Sequence, residues 1–272
     1  MRFVEPGEGY LACGWIGKGR LAEPDEIVAA VEAMFAPRGA LSGRRVLVTA
    51  GPTYEDLDPV RFIGNRSSGR MGFAIAAEAS RRGATVTLVV GPTSTEVPTV
   101  AEVVRVRSAS EMHAAVLSRA DGADLVVMAA AVADYAPESR ADQKRHKRGD
   151  TLTLTLKKNP DILADLGSRR HARGGGPVLV GFAAETEHVV ESAREKLQRK
   201  HADLIVANDV SRGDAGFEVD TNEVTIVSHD SAEHVPLQSK ARIAAAILDR
   251  VERLLTPAPV VATGSSHVGG TT

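Results

Sequence analysis

Between Arg44 and Leu255, short β-branched apolar runs alternate with segments whose apolar residues recur at helical spacing. The runs are RRVLVTA, TVTLVVG, VVRVRS, ADLVVMAAAVAD, PVLVGFAAE, ADLIVAND and EVTIVS. Between most of them lie the helical patterns FAIAAEASRRG, Ala109 to Arg119, Glu187 to Lys200 and Lys240 to Leu255. Strands that are apolar throughout, rather than at every second residue, are buried on both faces. Such strands separated by helices build a largely parallel sheet covered on both sides. The pattern therefore predicts an α/β, Rossmann-like fold. TLTLTLKK departs from it, because its period of two marks a half-exposed strand, and it is expected to serve as a β-arm for dimerisation. Asn159-Pro160-Asp161 starts a helix of about two turns.

The flanks differ in character. Residues 1–42 hold a glycine-rich loop, a short helix from Glu26 to Phe35 and a linker carrying Pro37 and Gly39. Residues 43–255 form the α/β domain, and 256–272, rich in Gly, Ser, Pro and Thr, are expected to be a disordered tail. With 43% hydrophobic and 25% charged residues, the composition is that of a soluble protein. A net charge of −2 gives no general reason to expect nucleic acid or a membrane as partner. The single cysteine, Cys13, excludes an internal disulfide framework and suits a cytoplasmic location. The absence of a basic-then-apolar leader and of long apolar runs agrees with that expectation.

In an open α/β sheet, ligands bind beyond the carboxyl ends of the strands. The residues found there are Gly51-Pro52-Thr53, Gly91-Pro92, Ala130 to Tyr135, Phe182 to Glu185 and Ala207-Asn208-Asp209. Small side chains let a ligand approach the backbone. To this rim belongs Gly64-Asn65-Arg66-Ser67-Ser68-Gly69-Arg70-Met71-Gly72, which offers hydroxyls and free amides where a helix begins. It fits neither GxGxxG nor GxxxxGK[ST]. Taken alone it reads as a cap with turn glycines or as a phosphate site. Lys144-Arg145-His146-Lys147-Arg148 is a solvated charge run or a flap that closes over polyphosphate. Lys196 and Lys200 share a helix face. Asp134 suits a ribose, a base, a metal or a turn cap; Asn65 a carbonyl or a cap; Phe182 a stacked base or the core. His113, His146, His171, His188 and His201 show no metal-ligand spacing.

VTAGPTYEDLDPVRFIGNRSSGRMGFAIA, AAVADYAP, KKNPDIL, GFAAET and DLIVAND occur in this order, and together they resemble the phosphopantothenoylcysteine synthetase family of coenzyme A biosynthesis. The resemblance implies a ligase that joins 4′-phosphopantothenate to L-cysteine through an acyl-cytidylate, using CTP and Mg²⁺ or Mn²⁺. It implies nucleotide contacts at Asp134, Lys144, Pro160, Asp161, Ile162, Leu163, Phe182, Lys196 and Lys200. Phosphopantothenate contacts fall on Gly51, Asn65, Ser67, Gly69, Gly72, Ala130, Ala131 and Asn208. Asn65 and Lys144 match the catalytic positions, and a homodimer is implied. The resemblance leaves the metal ligands unassigned.

PGEGYLACGWIGKGRLAEP is similar to the end of the decarboxylase fused upstream of the synthetase in many bacteria. There the cysteine, here Cys13, donates a proton. FMN belongs to the decarboxylase body, so residues 1–42 are expected to be its remnant and a linker. The fold alone also admits an NAD(P) reductase, which the missing GxGxxG and Tyr-x-x-x-Lys disfavour. A non-catalytic nucleotide-binding module is a third reading, disfavoured by intact Asn65 and Lys144.

Overall fold

A computed structural model describes residues 7–10, 16–22, 24, 27–28, 41–144, 146, 150–185, 188–209 and 220–255. The chain divides into two compact units, Met1–Gly39 and Ala40–Thr272. In the first, β1 (Gly7–Tyr10) pairs antiparallel with β2 (Ile16–Arg20). Most of the expected helix over Glu26 to Phe35, together with Cys13, lies outside the described residues.

The second unit is built on an eight-stranded sheet. Its strands are β3 (Arg45–Ala50), β6 (Thr85–Val90), β7 (Glu102–Arg105), β8 (Leu125–Met128), β11 (Val178–Glu185), β12 (Leu204–Asp209), β13 (Thr221–Val227) and β14 (Ala232–Ser239). They lie in the order β14-β13-β12-β11-β8-β3-β6-β7. From β12 to β7 all neighbours are parallel, while β13 and β14 run antiparallel. The fold is the expected Rossmann-like one with an antiparallel edge. That edge follows from the residues: β13 alternates buried and half-buried positions, and β14 is mostly exposed. Pro236 lacks an N–H and is tolerated on a strand with a free side.

Alternation along β3 separates two cores. Val46, Val48 and Ala50 pack with Ile75 of α1 (Arg70–Arg81) and with Ile243 and Ile247 of α5 (Lys240–Leu255). Leu47 turns to the other face. There it joins Met112 of α2 (Ala109–Ala120), Leu166 of α3 (Ile162–Arg173) and Leu197 of α4 (Val189–Arg199). The strand period of two thus sorts the helices, α1 and α5 on one face and the other three on the opposite face.

Several elements differ from the sequence reading. β8 ends at Met128, and from there to Asp134 only Ala131 still pairs, through a single parallel bridge to Pro52. TLTLTLKK yields a short strand only, β10 (Leu156–Lys158), paired antiparallel with β9 (Tyr135–Pro137). Inside the proline-punctuated loop, β4 (Tyr54–Asp56) and β5 (Phe62–Gly64) form a hairpin whose Tyr54 and Phe62 rings stack at 3.8 Å. The helix after Asn159 runs to Arg173 rather than for two turns. Among the described residues no helix is long and apolar enough to cross a membrane.

Candidate active site

After β3 the chain builds outward through β6 and β7, then returns to place β8 on the other side of β3. Carboxyl ends diverge at such a reversal and leave a crevice. A cavity of about 550 Å³ occupies it. Its wall combines the 65–72 loop, residues 128–134, Lys158 to Leu163, Phe182 to Ala184, Lys196, Lys200, Asn208, Asn222 and Lys240.

The loop is held by local geometry. Gly69 caps α1 with φ 80°, a left-handed conformation that glycine adopts without steric cost. The Ser67 hydroxyl accepts the Gly69 amide at 3.3 Å, and Thr93 donates to the Ser68 carbonyl at 2.8 Å. Gly72 sits where α1 crosses β3. A Cβ there would lie 2.6 Å from the Ala50 Cβ and 2.8 Å from the Thr49 carbonyl oxygen.

The Ala130–Asp134 segment is fastened on several sides. The Ala130 amide donates to the Thr49 hydroxyl at 3.1 Å and the Ala133 amide to the Thr53 hydroxyl at 2.9 Å. The Ala131 amide donates to the Gly51 carbonyl at 2.9 Å. From the other side, Asn65 Nδ2 donates to the Val132 carbonyl at 3.0 Å and Asn159 Nδ2 to that of Ala133 at 2.8 Å. Backbone that would otherwise leave the sheet unsupported is thereby fixed beside the cavity.

Asp161 caps α3, its Oδ1 accepting the Ala164 amide at 3.1 Å while Oδ2 lies 3.2 Å from Lys200 Nζ. Lys240 is 6% exposed. Burial and, behind it, the Arg70 charge push its ammonium below the usual lysine range, against a smaller opposing pull from Asp220. The side-chain oxygens of Asn208 and Asn222 are buried in the cavity wall, without a hydrogen-bond partner among the described residues. A buried unpaired polar atom costs about 1–3 kcal/mol, so it marks a position that a ligand can satisfy.

Of the residues expected from sequence, Asn65, Ser67, Gly69, Gly72, Ala130, Ala131, Asp134, Pro160, Asp161, Ile162, Leu163, Phe182, Lys196, Lys200 and Asn208 line this cavity together. Gly51 stands behind it, under Gly69 and bonded to Ala131. Lys144 is exposed and outside the lining, and its neighbours Arg145 and Lys147 lie outside the described residues. Asn222, Lys240, Asn159 and Arg70 were missed. Lys240 was legible only as the first residue of an amphipathic helix, and Asn222 carried no signal.

A second cavity of about 450 Å³ lies at the amino end of β11, around Arg170, His171, His201 and Asp203. Arg170 is already engaged there by Asp203 and by the carbonyls of Pro177 and His201, so its charge serves the fold.

A family model described as the DNA/pantothenate metabolism flavoprotein C-terminal domain (DFP) matches residues 41–255. The chain belongs to that family. It is 47% identical over 256 residues to the coenzyme A biosynthesis bifunctional protein CoaBC of Bacillus subtilis (strain 168), covering 93% of this chain and 62% of that protein. Its identity to the CoaBC protein of Vibrio cholerae serotype O1 is 46% over 245 residues, 89% of this chain and 60% of that protein. The chain thus spans less than two thirds of these relatives. Among solved structures, the C-terminal domain of a CoaBC protein is similar at TM-score 0.68 and 40% identity, covering 80% of this chain and 98% of that one. The DFP match contains every lining residue of the cavity, as well as Lys144.

Proposed function

We propose that this DFP domain is a CTP-dependent phosphopantothenate–cysteine ligase working in coenzyme A biosynthesis. The observation that carries the reading is the convergence of the 65–72 loop, the fastened 130–134 strip and the lysines of α4 on one cavity at the topological reversal. The CoaBC names of its relatives support the pathway.

A carboxylate does not acylate an amine at neutral pH, because oxide is a poor leaving group. In the first step a carboxylate oxygen of 4′-phosphopantothenate attacks the α-phosphorus of CTP. The bond to the bridging oxygen breaks and pyrophosphate leaves with that electron pair. In the second step the cysteine amine attacks the acyl carbon, CMP departs and the ammonium proton passes to solvent. Lys196 and Lys200 offset the charge of the polyphosphate, and Lys144 from its exposed loop adds a further cation during activation. Phe182, within β11 on the cavity wall, stacks on the base. Asn65 offers its amide to the acyl carbonyl, and the Ser67–Gly72 turn takes the phosphate of the acid.

Among the described residues no group of three or more His, Cys, Asp or Glu gathers as a metal cage. The wall does hold Asp134 and Asp161. That donor set fits Mg²⁺, which commonly binds substrate phosphates with one or two carboxylates. Asp134 is the carboxylate available to hold it, since Asp161 pairs with Lys200. The ion would neutralise phosphate charge.

Tyr135, Leu152 and Leu156 are exposed on and beside the β9–β10 pair. We assign this apolar arm to pairing with a second copy, and sedimentation of the wild type against Leu156→Glu tests it. The ligase reading is tested by mixing the protein with CTP, Mg²⁺ and phosphopantothenate, which should release pyrophosphate, with CMP and the amide appearing once cysteine is added. No CTP-dependent pyrophosphate release with either Mg²⁺ or Mn²⁺ sinks it.

A further inference from the structure

Glu55 is 5% exposed, sits in the middle of β4 and stands outside the cavity lining. A carboxyl buried to that extent needs a partner. Its partner belongs to another element: Glu55 Oε1 accepts the amide of Ala109, the first residue of α2, at 2.9 Å. That helix already has its local cap, since the Ser108 hydroxyl accepts the Glu111 amide at 3.2 Å. Glu55 takes up a further amide left open at the helix start, where the dipole favours an acidic group. The bond matters more to β4 than to α2. A three-residue strand outside the main sheet is anchored by it to a helix whose Met112 and Val116 lie in the core.

β4 is one side of a closed circuit that ends on Asn65. Its register with β5 sets Glu55 opposite Ile63 and Tyr54 opposite Gly64, so Asn65 is the next residue of the chain. Asn65 Nδ2 reaches the Val132 carbonyl at 3.0 Å. One residue back along that strip, the Ala131 carbonyl accepts the amide of Thr53, which leads into β4, at 3.3 Å. The hairpin has no slack, because a Cβ at Gly64 would lie 2.7 Å from the Thr53 carbonyl oxygen. A displacement of β4 is therefore carried to β5 and on to Asn65. Beyond the circuit, the Tyr54 amide donates to the Arg107 carbonyl at 2.8 Å, and Asp56 accepts from the Arg107 guanidinium at 2.7 Å. Asp56 and Arg107 meet where water can replace either partner, whereas the Glu55 bond is buried.

We propose that Glu55 is a positioning residue for acyl transfer to cysteine: its bond to α2 fixes the β4–β5 hairpin, and the hairpin aims the Asn65 amide at the acyl carbonyl. The assignment rests on the ligase reading. Glu55 itself touches no substrate.

The test compares the full-length wild type with Glu55→Ala, Glu55→Gln and Ser108→Ala, each checked by a thermal melt. Hydrogen exchange without substrate comes first. Peptides spanning residues 62–69 should exchange about tenfold faster or more in Glu55→Ala than in wild type. Glu55→Gln keeps an oxygen for the Ala109 amide and should restore most of the protection. Ser108→Ala weakens the start of α2 alone and should leave those peptides unchanged. In single turnovers, Glu55→Ala should slow CMP release about tenfold more than pyrophosphate release, as a small misplacement of a reacting group does. Glu55→Gln should recover the wild-type ratio, and KM for CTP should stay within about twofold throughout. Should Glu55→Ala fail to fold, Glu55→Asp, one methylene shorter, carries the same comparison. Unchanged exchange in a folded Glu55→Ala protein overturns the assignment whatever the reaction is, as does equal slowing of both steps. The same changes in Ser108→Ala would reduce Glu55 to a helix cap. A wild type that releases no pyrophosphate overturns the ligase reading, and the transfer role of Glu55 with it.

Discussion

The side-chain amide of Asn65 donates to the main-chain carbonyl of Val132 at 3.0 Å, joining the loop before α1 to the strip that follows β8. One N–H and the carbonyl oxygen of the amide remain for substrate. Aspartate at this position would set a carboxylate against the Val132 carbonyl and offer no donor. Asn65→Asp should therefore slow transfer to cysteine by about 10²–10³, the usual loss on removing a donor to a developing oxyanion, while slowing activation less. Single-turnover release of pyrophosphate and of CMP, followed separately, checks this division. Equal losses in both refute it.

Thr53 is fully buried, and its hydroxyl accepts the Ala133 amide at 2.9 Å. Thr53→Val keeps the shape and removes the acceptor, at about 1–3 kcal/mol for the orphaned amide. For a domain of this size each kcal/mol lowers Tm by about 2–4 °C. The strip should also loosen, so KM for the acid is expected to rise more than KM for CTP. A thermal melt with paired KM measurements decides it, and an unchanged KM ratio would make Thr53 purely structural.

Gly72→Ala places a methyl group 2.6 Å from the Ala50 Cβ, and neither the β3 backbone nor a methyl can swing aside. Helix α1 must shift, at about 1–3 kcal/mol for overpacking, and it carries the Ser67–Gly69 turn with it. Lower stability should accompany weaker binding of the phosphorylated acid. Gly174→Ala, in open space at the end of α3, should leave acid binding unchanged. A Gly72→Ala protein with wild-type acid affinity would show that the turn tolerates the shift.

Glu78 is held below the usual carboxylate range by its hydrogen bond to Arg81, with Arg82 adding to it against the opposing effect of burial. Arg82 also reaches Asp249 and Glu252, so this network fastens α1 to α5. The native carboxyl binds its proton less tightly than the unfolded one. Its stabilisation is therefore complete above the unfolded value of 4.5 and is lost as pH falls through the lower native value. Glu78→Gln should lower stability near neutral pH by about 1–3 kcal/mol and flatten the acid limb. Denaturant titrations across that range measure both effects, and parallel wild-type and variant curves would exclude Glu78 from the acid transition.

What the sequence determined by itself was what local chemistry encodes. Apolar β-branched runs marked β3, β6, β11 and β12 within a residue or two, because burial on both faces leaves an unbroken pattern. Asp161 announced its cap through its own side chain. The small residues after β8 were legible as a place where a ligand could approach the backbone, and they line the cavity. Tertiary structure alone decided where patterns stopped and which faces met. Nothing local ends β8 at Met128; the hydroxyls of Thr49 and Thr53, distant in sequence, take the Ala130 and Ala133 amides in place of ladder partners. The alternation in β13 declares a strand but not its direction, and β14 carries too little buried surface to declare itself. The run at Lys144 read as a solvated charge run or a flap, and Lys144 is exposed. Lys240, legible only as the first residue of an amphipathic helix, is buried in the cavity wall. A lysine's environment is set by which helix start packs beside its own, here that of Arg70, and no periodicity along the chain records that meeting.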